Sequence, residues 1–263
     1  MRQREWAYPP VPVRREVLAA SPTGPSEAPP VLFVPGFGHG AWVFAEHWLE
    51  HTAERGFPAY AMSLRGHGES GSAPKTTIRA YAHDVTQVAA SLPRQAVLVG
   101  HGASALVVAA ALARYPARAA VLVSPVFGGV GAAFSALVRN PGAVLPAVFG
   151  RPLRLRRGQL FGRELPVEDG RGYAARLGGA SARAQWQLVT HRAPEDPVGD
   201  PPVLVVGSPD DRLVPRAALA AVARRYNGAP LLFPEMGHDL MLDARWEEPI
   251  DAILDWLGKE LAA

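Results

Sequence analysis

Residues 96–112 read AVLVGHGASALVVAAAL, an apolar run interrupted by Gly100, His101 and Gly102. Ala96 to Val99 are apolar and partly β-branched, as a buried strand requires, and the Ala, Leu and Val residues after Ala103 suit a buried helix. The glycines between them mark a tight strand-turn-helix corner. With buried elements of different period on its two sides, this corner constrains the fold more than any other stretch.

The corner resembles the nucleophile elbow of the α/β-hydrolase family, which reads Gly-x-Ser-x-Gly and lifts a serine hydroxyl into the active site on a strained turn. Here the frame reads Gly100-His101-Gly102-Ala103-Ser104, so a glycine stands at the serine position. Glycine has no side chain with which to form an acyl-enzyme. Ser104 does not replace it: at about 100° per helical residue, a side chain two positions further on points about 200° away, towards the packing side. A deliberate Ser→Gly exchange is an alternative origin for Gly102.

The resemblance implies an α/β fold with a mostly parallel central β-sheet flanked by helices. A helical cap inserted after the sixth strand would divide the chain into a core of residues 1–125 and 201–263 and a cap or lid of residues 126–200. A length of 263 residues suits one such domain. With 48% hydrophobic and 19% charged residues, the chain can bury a sizeable core. A net charge of +3 gives no ground for a nucleic-acid partner. The absence of cysteine excludes disulfides, thiolate catalysis and zinc-thiolate sites. The stretch MRQREWAYPPVPVRRE lacks the apolar segment of a signal peptide, which favours the cytoplasm. Ala119 to Val138 is uncharged, but Pro125 and glycines 128, 129 and 131 suit a strand and loop better than a membrane span.

Along the chain, a β-segment is expected near Val13 to Ala19, then a short strand, Val31 to Val34, that runs into Pro35-Gly36-Phe37-Gly38-His39-Gly40. This phrase resembles the family's oxyanion loop, which makes the Phe37 amide one donor and the Ala103 amide, just past the elbow, the other. Phe44 to Arg55 has helical spacing and stops at Gly56; Ala59 to Leu64 reads as a strand. It leads into Arg65-Gly66-His67-Gly68-Glu69-Ser70, which resembles the family's loop after its fourth strand, with His67 bracing the loop. Thr76 or Thr77 is expected to cap a helix through Leu92 that carries His83 and Asp84 on a solvated face. Ala119 to Ser124 is the next parallel strand, and Ser124 falls at a carboxyl end, where such sheets place ligands.

Residues 126–200 change to glycine, proline, arginine and scattered apolar residues. Phe127, Phe134, Leu137, Phe149, Phe161, Tyr173 and Trp186 are candidates to line an apolar chamber or to hold the cap together, and arginines 151, 154, 156 and 157 suit a solvated surface. Val203 to Gly207 resumes the core, followed by Asp210-Asp211-Arg212-Leu213-Val214-Pro215. This ending resembles the family's acid loop and aligns Asp211, not Asp210, as the acid. Pro215 starts a helix to about Tyr226. Leu231 to Phe233 forms the last strand, Gly237-His238-Asp239 resembles the catalytic-histidine loop, and Trp246 to Leu261 closes the chain as a helix.

The family order of nucleophile, acid and histidine is therefore Gly102, Asp211, His238. A histidine oriented by a carboxylate, with two backbone amides, suffices for general acid/base work and for stabilising an oxyanion. The expected function is cofactor-independent and metal-free chemistry on a small carbonyl or ester compound, as non-covalent hydrolysis or a lyase, cyclase or isomerase step. Gly36, His101, Ser124, Phe127 and Trp186 are the expected pocket residues. The alternatives are a non-catalytic ligand-binding protein, in which glycine enlarges the pocket, and a serine esterase whose nucleophile was exchanged.

Overall fold

A computed structural model describes residues 8–73, 76–128, 155–191 and 194–262. Among these residues, seven strands form one sheet in the order β1-β3-β2-β4-β5-β6-β7. They are β1 (Val17–Ala20), β2 (Val31–Val34), β3 (Ala59–Met62), β4 (Val97–His101), β5 (Ala119–Val123), β6 (Val203–Gly207) and β7 (Leu231–Leu232). Among the described residues, only β1 runs antiparallel, against β3; the other pairs are parallel. The expected fold class holds, with one correction. The segment expected as a cap follows the fifth described strand instead of the sixth, because a single antiparallel strand precedes β2.

The short strands carry apolar side chains on both sides because helices cover both faces, as parallel sheets require. Val31, Phe33, Val97, Val99, Val121 and Val123 face one core, with Phe44, Trp48 and Ile253. Leu32, Val34, Leu98, Ala120 and Leu122 face the other, with Tyr81, Leu106 and Val108. The first is covered by α1 (Trp42–Ala45), α2 (Trp48–Glu54) and the closing helix Glu247–Ala262; the second by α3 (Ile78–Ser91) and α4 (Ser104–Leu112). The single helix expected over Phe44 to Arg55 is thus two short ones, ending before Gly56, whose φ of +88° explains the glycine. Thr77, one of two expected caps, accepts the Ala80 amide at 3.2 Å.

The α4 helix packs hard against β4. A Cβ added at Gly100 would lie 2.8 Å from both the Ser104 carbonyl oxygen and Val108 Cγ2, so only glycine permits this approach.

Of the segment expected as a cap, the structure describes α5 (Arg157–Leu160), α6 (Val167–Ala175) and α7 (Ala182–Thr190). Leu160, Phe161 and Leu165 are buried in the same core as Met241 and Ile250, so this part of the segment is built into the domain. Phe134, Leu137, Phe149, Arg151 and Arg154 lie outside the described residues, as does most of the uncharged run after Ser124. Among the described residues, no helix is long and apolar enough to cross a membrane.

Asp84 corrects its sequence reading. It is fully buried instead of solvated, because Arg65 of the loop after β3 reaches it with Nε and Nη2 donating at 2.6 and 2.7 Å. Periodicity could not anticipate a carboxylate turned inward to meet a loop arginine. Removing one partner of such a pair strands a buried charge, so Asp84→Ala is expected to lose about 3–5 kcal/mol of stability in urea unfolding.

Candidate active site

The corner after β4 is made by Gly102, with φ +55°, in the left-handed region that other residues enter at a cost. Its N–H donates to the Val123 carbonyl at 2.9 Å, and its carbonyl accepts from Val126 N–H at 2.9 Å, so both sides of the turn are pinned to the end of β5. Ala103 follows immediately and α4 begins at Ser104, where first-turn amides lack intrahelical acceptors.

Three loops converge here. From the end of β2, Gly36 lies with its Cα 3.8 Å from the point where a Gly102 Cβ would stand. From the loop after β7, His238 Nε2 lies 3.1 Å from the same point. From the loop after β6, Asp211 Oδ2 accepts from His238 Nδ1 at 2.8 Å, while Asp211 Oδ1 accepts the Leu213 and Val214 amides at 2.7 and 3.1 Å. The carboxylate is therefore fixed by two backbone donors before it fixes the imidazole. Asp210 turns elsewhere and accepts the Glu235 amide at 2.8 Å. Burial pulls the His238 ring towards lower pKa, but the Asp211 charge, its hydrogen bond and the nearby Asp239 charge outweigh it, and the pKa is raised above 6.5.

The two serines near the site have committed hydroxyls. Ser104, fully buried, donates to the Pro35 carbonyl at 2.5 Å, on the packing side of the elbow. Ser124, also fully buried and strained at φ +44°, donates to the His238 carbonyl at 2.9 Å. Ser124 thus holds the His238 backbone and does not line a chamber.

Two other expected pocket residues also fall elsewhere. His101 is fully buried beneath the elbow, because its side chain turns towards Asp239 and the His238 carbonyl. Trp186 is 65% exposed on α7, whose inward positions are taken by Ala184 and Leu188. Phe127 is half-buried, packs against the second core, and its carbonyl accepts from His191 Nε2. Phe37 packs its ring against Tyr81 and His67, with centroids at 5.3 and 6.3 Å. His67 Nδ1 meets the Arg65 carbonyl at 3.2 Å, in keeping with a bracing role.

Sequence reasoning did not single out Asp239 or His39. His39, His101 and Asp239 are all buried, with metal-ligand-type atoms within 4.8 Å of one another. Hydrogen bonds already engage both Nε2 atoms: His39 Nε2 donates to Asp239 Oδ2 at 3.0 Å and His101 Nε2 to the His238 carbonyl at 3.3 Å. Asp239 follows His238 directly, but nothing in a lone Asp signals burial. Burial raises the Asp239 pKa, yet the charges and hydrogen bonds of the surrounding histidines, His39 foremost, hold it down at about 2. Burial depresses the His101 ring to about 3, with Asp239 opposing.

Two outcomes follow from this geometry. A serine-directed phosphonate should leave the protein unmodified in intact-mass measurement, since Ser104 and Ser124 are both buried and hydrogen-bonded. For His101, the unfolded chain takes up a proton below about pH 6.5 that the folded chain refuses down to about pH 3, so stability falls as pH drops through that window. The loss should be of order 1 kcal/mol per pH unit in urea unfolding, and shallower in His101→Gln.

The chain has relatives of known structure but low identity. A soluble variant of monoglyceride lipase from Saccharomyces cerevisiae superposes with a TM-score of 0.77 at 12% identity, covering 94% of this chain and 92% of that one. A thermophilic esterase from Thermogutta terrifontis gives 0.68 at 21% identity, with 94% and 93% covered. A proline iminopeptidase-related protein from Thermus thermophilus gives 0.65 at 23% identity, with 93% and 98% covered. No curated protein matches the sequence. Residues 31–256 match the alpha/beta hydrolase family, and with strand order, elbow and converging loops all in agreement, the chain belongs to that family.

Proposed function

We propose that this protein is a hydrolase that works without a serine nucleophile, with His238 as general base and Asp211 as its orienting acid. Gly102 takes the nucleophile position. The observation that carries the reading is the 3.1 Å between His238 Nε2 and the point from which a side chain at Gly102 would project. The imidazole addresses the place a serine hydroxyl occupies in the family, and only backbone stands opposite it. A water in that place would give its proton to Nε2 and attack an ester-type carbonyl carbon. The tetrahedral species would then collapse with cleavage of the bond to the leaving alcohol oxygen, which takes the proton back from Nε2, without a covalent enzyme intermediate. The Phe37 and Ala103 amides would hold the developing oxyanion, and both are main-chain groups that the loss of a serine does not remove. The esterase and lipase named among the structural relatives favour a small ester or related carbonyl compound as substrate. Residues 126–200, with the exception of the part built into the core, would act as the lid.

The pH dependence has a fixed sign. A general base must be neutral, so with its pKa raised above 6.5 His238 becomes competent only as pH climbs through that value, and the rate should rise on the same limb. His238→Ala should lower ester turnover about 100-fold or more, the scale of general-base catalysis. An unchanged rate in that variant would remove His238 from the mechanism, whereas a ligand that binds tightly and is recovered chemically unchanged would favour the non-catalytic, ligand-binding alternative. Gly102→Ser should introduce what the wild type lacks: a burst of acyl-enzyme and labelling by a phosphonate. It should also cost about 1–2 kcal/mol of stability, from the left-handed backbone and the few tenths of an ångström by which His238 must yield.

A further inference from the structure

We propose that Asp239 is a positioning residue, a buried carboxylate through which the oxyanion loop, the elbow and the histidine loop are held in register. The inference rests on the assignment of the site above and deepens it.

The geometry is of one acid meeting three loops. His39, on the loop that carries Gly36 and Phe37, spans from one to the other: its Nδ1 lies 3.2 Å from the Phe37 carbonyl and its Nε2 3.0 Å from Asp239 Oδ2. The same side chain therefore reaches the carbonyl of the residue that carries the candidate oxyanion N–H, and the residue next to the candidate base. His101, on the elbow beside Gly102, brings Nε2 to 3.4 Å from Asp239 Oδ1 and 3.3 Å from the His238 carbonyl. That carbonyl also receives the Ser124 hydroxyl. The third loop is Asp239's own, and its amide donates to the Leu160 carbonyl at 2.9 Å. Asp239, His39 and His101 are at most 3% exposed, so water does not screen these contacts.

The groups that face the His238 ring fix what Asp239 adds electrostatically. Asp211 binds Nδ1, the His101 ring lies 4.9 Å away centroid to centroid, and Asp239 supplies a second negative charge from the neighbouring position, with His39 behind it. Asp239 Oδ1 has no hydrogen-bond partner among the described residues, so the carboxylate is only partly neutralised by its donors. Its charge acts in the same direction as that of Asp211, and its hydrogen bond to His39 ties the residue next to the base to the loop that carries Phe37. Misplacement of about 1 Å between such groups is enough to cost about 100-fold in rate.

The test uses Asp239→Asn in the full chain and in a Gly102→Ser background. In the wild-type background, NMR titration of the His238 ring should show its midpoint moved down, as the loss of a neighbouring negative charge requires. In the Gly102→Ser background, labelling by a serine-directed phosphonate should slow about tenfold or more, with thermal unfolding showing that the variant is folded. An unmoved midpoint, or labelling within about twofold of the Gly102→Ser parent, would overturn the proposal. If Asp239→Asn does not fold, His39→Gln takes its place in the labelling assay, where the same slowing supports the proposal and labelling within about twofold overturns it. Failure of Gly102→Ser itself to label would instead sink the site assignment, and the His238 midpoint would still decide whether Asp239 acts on that ring.

Discussion

The structure depends on one backbone corner. Gly102 turns the chain from a buried strand into a buried helix in a single left-handed step, and its N–H and C=O are both tied to the end of β5. The approach is close enough that Gly100 admits no Cβ. Because the corner is rigid, the start of α4 is presented at a fixed place above the carboxyl edge of the sheet, where α/β folds gather their ligands. The loops after β2, β6 and β7 all end at that place, so three remote stretches of chain meet at a point none of them specifies alone.

Holding them there takes polar contacts in an otherwise apolar interior. A buried carboxylate is costly unless its oxygens are satisfied, and the two acids at the site are satisfied to different extents. Asp211 uses backbone amides for one oxygen and His238 for the other. Asp239 receives His39 and leaves its second oxygen beside His101. One acid orients the imidazole through its ring nitrogen; the other engages the loops from behind. Ser124 adds a strained backbone whose hydroxyl closes on the His238 carbonyl, the kind of conformation that persists where the surroundings enforce it. The proposed chemistry needs such an arrangement, because without a serine to capture the substrate, catalysis would rely on placement of groups alone.

Much of the fold was legible in the residues. Parallel strands buried on both faces read as continuous apolar runs, so β2, β4, β5 and β6 appeared within a residue or two of their final bounds. Thr77 and Pro215 mark the starts of two helices for reasons local to their own chemistry. The helix expected from Phe44 broke in two, and Asp84, Trp186 and His101 were misplaced. Asp84 and His101 depend on what a distant segment presents to them, Arg65 and Asp239 respectively, whereas Trp186 is left in solvent because Ala184 and Leu188 take the inward positions of its own helix.

The sequence alone determined that a strand-turn-helix corner exists, that Gly102 stands at its turn, and that Asp211 and His238 follow it in loops after apolar strands, because motif spacing and apolar periodicity are local properties of a chain. Only the tertiary structure decided that Nε2 of His238 faces the empty side of Gly102, that Ser104 and Ser124 have committed hydroxyls, and that Asp239 is buried among three loops. Those are facts about residues far apart in the chain, and the direction of a side chain across such a gap is set by packing and hydrogen bonding in three dimensions.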